Sequence, residues 1–190
     1  MARYGKEHKE ATRQRIIESS SRRFKESGVD GSGIATLMAD AGLTNGAFYA
    51  HFDSKDDLVA SVVAEELSRQ ADAFAALPSG KAGLRGFVHE YLSTEHRDKP
   101  DVGCPSAALL DEIVRCTDTA KSAYTTGAQR ILDEIASRLA PRNPPSARGR
   151  AIGLYTMMVG TLQLSRAVSD PKFSNEVLEA GIQNALAALR

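Results

Sequence analysis

The chain has no tryptophan, two cysteines in 190 residues, and aromatics at only 6%. Each scarcity excludes something. Two cysteines cannot make the disulfide framework of a small secreted domain. So few aromatics argue against a strongly aromatic, multidrug-type pocket. Formal net charge is zero, so bulk charge predicts no partner. No apolar run approaches the ~20 residues of a membrane span. Met1-Ala2-Arg3-Tyr4 leads straight into charged residues rather than a signal peptide. A cytoplasmic protein with reduced thiols and no membrane partner is expected. Strand signals are nearly absent as well.

What is present is helical periodicity, punctuated by Pro and Gly. The expected fold class is all-α, with about nine helices: an N-terminal helix-turn-helix three-helix unit and a larger helical unit. The first helix runs from about Thr12 to Ser27 and ends at Gly28. Ser32 opens a second, in which Ile34, Leu37, Met38 and Ala41 form one stripe. After Gly42, Thr44 opens a third helix reaching about Phe52. Ser54 caps a fourth, with Asp56 and Asp57 in its first turn. Further helices are expected over 81–95, 105–116, 119–140, 146–169 and 171–189. No linker is visible, so the boundary is set at 55/56, giving domains 1–55 and 56–190.

The second helix, the Ala41-Gly42-Leu43 turn and the third helix make a helix-turn-helix, weak by itself because short amphipathic helix pairs are common. Residues 44–58, TNGAFYAHFDSKDDL, sharpen it. Phe48 and Phe52 stand four apart and can face inward onto Ile17, Leu37 and Met38. Thr44, Asn45, Tyr49 and Lys55 then point outward or along the rim, and Gly46, Ala47 and Ala50 let the helix approach another surface closely. A major groove admits such a helix, and Asn suits the donor–acceptor edge of adenine. From Met1 to Lys25 there are eight Lys/Arg against three Asp/Glu, a basic arm that serves either an anionic polymer or plain solvation.

On these residues the chain resembles the TetR family of transcriptional regulators. The resemblance rests on Ile16, Ile17, Phe24 and Gly28, on Ala41-Gly42-Leu43, and on Gly46, Tyr49, His51-Phe52 and Lys55-Asp56-Asp57-Leu58. It implies a homodimeric DNA-binding regulator, most often a repressor, that reads a pseudo-palindromic double-stranded operator and is released by a small-molecule inducer. By the same resemblance Tyr49, His51 and Lys55 contact phosphates, Thr44, Asn45, Gly46 and Ala47 lie nearest the bases, and Ser32, Gly33 and Thr36 flank the backbone. Many relatives carry a hydroxyl where this chain has Gly33 and Ala47. Base readout therefore falls mainly to Asn45 and Thr44, with groove shape.

The larger unit is expected to enclose an apolar inducer pocket walled by Phe74, Leu84, Phe87, Tyr91, Leu109, Leu110, Ile113, Tyr124 and Met158. In the last two helices apolar residues cover more than one face, which calls for a second copy of the chain. Gly103-Cys104-Pro105 precedes an apolar helix, so the Cys104 sulfur meets the helix's positive end, which favours thiolate. Some oxidant- and electrophile-sensing members of the family carry a similar Gly-Cys, which makes Cys104 a candidate redox sensor; the alternative is a small buried hydrophobe. Cys116, about 18 Å further along a continuous helix, is too far for a disulfide. His89 and His96 lack the spacing of a zinc-protease motif, and 31–33 lacks the strand of a dinucleotide loop. No catalytic set, metal or cofactor is expected.

Overall fold

The computed structural model describes the backbone of residues 2–190 and the side chains from residue 7 onward. The side chains of Arg3 and Lys6 in the basic arm, and all of Met1, lie outside the described residues. Among the described residues there are nine α-helices and three short 310 segments, with no strand. The all-α expectation holds; the bounds of several helices differ.

Helix α1 (Ala2–Ser27) begins well before Thr12. Gly28 ends it with φ +78°, and its N–H still reaches the Phe24 carbonyl at 2.9 Å, a left-handed cap that glycine adopts without a Cβ penalty. Helix α2 spans Ile34–Asp40. The Gly42 turn (φ +68°) lets Leu43 N–H bond the Met38 carbonyl at 2.9 Å. The expected third helix is instead a 310 segment over Asn45–Ala50. At six residues, with Asn45 and Gly46 at its start, it is too short to sustain an α-helix by itself. It is held by burial of Phe48 and Phe52 beside Ile17, Leu37 and Met38.

Ser54 caps α3 (Lys55–Ala76) by accepting the Asp57 N–H at 3.1 Å. The next expected helix breaks. Helix α4 covers Lys81–Tyr91, and α5 covers Thr94–Asp98 with Ser93 as N-cap, its hydroxyl accepting the His96 N–H. Helix α6 (Pro105–Ile113) stops short of Cys116. Helix α7 is Asp118–Leu139, and a 310 turn at Pro144–Ala147 feeds α8 (Arg148–Ala167). Asp170 caps α9 (Pro171–Ala188).

The core is one continuous apolar cluster from Ile16 to Leu189. Its centre is the α3–α7 crossing. Gly127 permits the close approach there, since a Cβ on it would sit 2.4 Å from the Leu67 Cβ. Helix α8 packs on α9 and leaves Ile152, Gly153, Thr156, Gly160 and Leu164 exposed on its other side. No described helix is long and apolar enough to cross a membrane.

Candidate nucleic-acid interface and the Cys104 cavity

The interface candidates divide by exposure. Gly33, Thr36, Thr44, Asn45, Gly46 and Tyr49 are open to solvent, Tyr49 at 68%. The N-terminus of α2 and the 310 segment carry them, and Phe48 meets Tyr49 edge-on at 5.2 Å. Ala47 is half-buried. Ser32 is buried, and its hydroxyl donates to the Gly28 carbonyl at 2.7 Å, so it secures the turn after α1. Lys55 is half-buried and donates to the Val29 carbonyl at 2.5 Å. His51 is half-buried, with Nδ1 buried and unpartnered among the described residues. Burial, then the charges of Lys9 and Arg13, push its pKa below 6.5. Arg13 sits 4.9 Å over the Phe52 ring and donates to Ser61. The lysine and arginine of α1 thus enter the neighbourhood of the 310 segment, a pairing that linear spacing does not reveal.

The second candidate site is a cavity of about 550 Å3 bounded by α3, α4, α5 and the loop into α6. Of the nine positions expected to wall an inducer pocket, Phe87 and Tyr91 border it. Phe74, Leu84, Leu109, Ile113 and Met158 are buried in the core, while Leu110 and Tyr124 are half-buried. The rim is polar, carrying Glu66, Arg69, Glu90, Glu95 and Lys99, where sequence patterning suggested apolar walls.

Cys104 forms one wall and is 5% exposed. It is the N-cap of α6, with Pro105 next. Its N–H donates to His96 Nε2 at 3.0 Å, and His96 Nδ1 faces the Tyr91 carbonyl at 2.7 Å. That pairing requires the neutral ring protonated at Nδ1. Burial accordingly lowers the His96 pKa, opposed by the Tyr91 carbonyl. Gly103 makes the approach possible: a Cβ there would sit 2.6 Å from Nε2. The Gln70 amide donates to the Cys104 sulfur at 3.2 Å, and Tyr155 OH lies 3.9 Å away, itself bonded to Ser106 at 2.8 Å. Gln70, His96, Ser106 and Tyr155 come from four separate stretches of chain, and no local pattern announced their convergence.

Two contacts tie this region to the N-terminal unit. Lys25 on α1 bonds Glu66 at 2.8 Å and the Gly103 carbonyl at 3.3 Å. Glu112, near the end of α6, accepts the Val29 N–H at 2.5 Å.

Comparison with known proteins accords with this geometry. Residues 16–62 match the model of "Bacterial regulatory proteins, tetR family". The chain is 33% identical over 176 residues to the HTH-type transcriptional repressor AcnR of Corynebacterium efficiens, covering 88% of this chain and 89% of that one. It is 37% identical over 62 residues to the HTH-type transcriptional regulator AcrR of Shigella flexneri; that match covers 33% of this chain and 29% of the relative, so the likeness there is to a part of that protein. Among solved structures, the reduced form of Escherichia coli NemR superposes with a TM-score of 0.78 at 17% identity, covering 92% of this chain and 95% of that one. That likeness is one of fold.

Proposed function

Since the chain belongs to the tetR family of bacterial regulatory proteins, we propose that it is a sequence-specific DNA-binding transcriptional regulator. In this reading it acts in the cytoplasm as a homodimeric repressor, released from a pseudo-palindromic operator by a small-molecule inducer or by modification of Cys104. Residues 1–55 are the DNA-binding unit; 56–190 bind ligand and dimerise. The observation that carries the reading is the split face of residues 44–52. Phe48 and Phe52 are buried, while Thr44, Asn45, Gly46 and Tyr49 stay open. A segment seated by one edge and bare on the other is suited to a groove.

The basic neighbours Lys9 and Arg13 favour phosphates at the same edge. Lys55 and Ser32 act here by holding the α1–α2 turn rather than by free contact. Dimerisation is supported by the outward stripe of α8, in which Ile152, Thr156, Gly160 and Leu164 recur every fourth residue with Ile152 43% and Leu164 49% exposed. Release runs through α6, which touches the α1 side at both ends, through Gly103–Lys25 and Glu112–Val29.

The test is a salt series on genomic fragments that the protein selects. Affinity must fall steeply as salt rises, because phosphate contacts release counterions. Asn45→Ala should flatten the preference between selected and scrambled sites by about 1–3 kcal/mol and leave the salt slope unchanged. Salt-insensitive binding, or full preference in Asn45→Ala, would refute the assignment of this face.

A further inference from the structure

Three polar side chains ring the Cys104 sulfur: Gln70, whose amide donates to it, and Tyr155 and Tyr91, whose hydroxyls stand beside it, that of Tyr155 donating to the Gln70 Oε1 at 3.3 Å. Tyr91 is the unusual member. It is 3% exposed, and its hydroxyl has no hydrogen-bond partner among the described residues. Burial pushes its pKa well above 10, and the neighbouring Cys104 and Tyr155 push the same way. The sulfur stands beside it without forming a bond of ordinary geometry. A buried donor without an acceptor carries the desolvation penalty of an unpaired polar group, and a thiol sulfur is a weak acceptor. One oxygen attached to that sulfur would bring strong lone pairs within reach of the Tyr91 hydroxyl and the Gln70 amide.

The second thiol is out of reach. Cys104 and Cys116 flank opposite ends of α6, whose nine residues span about 13 Å, whereas a disulfide needs Cα atoms within ~7 Å. The sulfur is also almost wholly covered, so a reagent that delivers a single oxygen displaces less than one that delivers a carbon skeleton.

We propose that Cys104 reacts with hydroperoxides and that its sulfenic acid is held by Gln70, Tyr91 and Tyr155, so that one added oxygen, rather than a disulfide, is the modification the site stores. The proposal rests on the reading of Cys104 as a regulatory residue. The thiol first gives up its proton, which leaves the sulfur as the nucleophile. The sulfur then attacks the terminal hydroperoxide oxygen. The S–O bond forms as the O–O bond breaks; sulfur loses two electrons and the peroxide gains them. The hydroxide or alkoxide that leaves takes up the thiol's proton. The new oxygen accepts from Tyr91 and Gln70, and the enlarged group presses on the Gly103–Cys104 loop that grips Lys25.

The experiment treats the full-length reduced protein with hydrogen peroxide, traps with dimedone, and reads intact mass and peptide maps. The expected product is one oxygen on Cys104, persistent, with Cys116 unchanged. Tyr91→Phe removes only an unpartnered hydroxyl, so the reduced variant should melt at or above the parent temperature. Its trappable species should pass to the sulfinic acid severalfold faster. Gln70→Leu, a second variant, should shift the same rate in the same direction. A disulfide as the main product, no oxygen on Cys104, or an unchanged decay rate in both variants overturns the proposal. Affinity for the selected DNA is read in parallel. If Cys104 gains its oxygen while DNA affinity holds, the chemistry stands and the regulatory reading falls.

Discussion

Lys25→Met probes the junction between the two units most directly. The Lys25 side chain is 4% exposed and Glu66 is 10% exposed, at 2.8 Å. Removing the lysine strands a carboxylate in a nearly dry site. Breaking a buried pair in this way costs about 3–5 kcal/mol. Glu66 keeps one partner, Arg69, whose side chain is 50% exposed, so the loss should fall near the lower end. About 3 kcal/mol corresponds to a fall of about 6–12 °C in the melting midpoint for a chain of this size. The assay is urea and thermal unfolding of the reduced protein, in a double-mutant cycle with Glu66→Gln. Neutralising the stranded carboxylate should recover part of the loss, with a coupling of about 1–3 kcal/mol. A single-variant loss below ~1 kcal/mol is what an exposed pair gives. That result, or strict additivity in the cycle, would show that water reaches the pair and that it does not lock α1 to α3.

Two further predictions concern the surface and the proton. Ile152→Glu places a charge in the exposed stripe of α8; sedimentation should report monomers with unchanged helicity, and an intact dimer would move the interface elsewhere. His96 has a folded-state pKa below 6.5, set first by burial. The unfolded chain therefore takes up the proton first, so stability is full above about pH 6.5 and declines as pH drops below it. His96→Gln should flatten the dependence of melting temperature on pH between 6.5 and about 5; equal slopes in parent and variant would remove His96 as the cause.

Much of the split between buried and open positions in residues 44–52 was readable in advance, because it depends on local spacing. Phe48 and Phe52, four residues apart, had to share a face, and their burial left Asn45 and Tyr49 outward. The same spacing misjudged the element type, since six residues are too few for a stable α-helix and close as a 310 segment once the two rings are anchored. The contacts that Lys55 and Ser32 make within the chain were not legible for a related reason. Their partners, the carbonyls of Val29 and Gly28, belong to the turn after α1, whose shape is not periodic. The inducer wall was harder still. Leu84, Leu109 and Met158 are apolar in pattern, and pattern cannot say whether an apolar side chain meets the core or a cavity.

By itself the sequence determined the all-α class, the cap at Ser54, the helix-turn-helix with its two anchoring rings, and the place of Cys104 at a helix start. All of these are set by residues within a few positions of one another, through rotation per residue, φ preference and the helix dipole. Only the tertiary structure decided what surrounds Cys104. It brought Gln70, Tyr91, His96 and Tyr155 to one thiol, put Lys25 on the carbonyl before it, and left the Tyr91 hydroxyl without an acceptor among the described residues. Those neighbours are fixed by how α1, α3, α4 and α8 pack around the start of α6, and side chains so far apart in sequence meet only when the core closes.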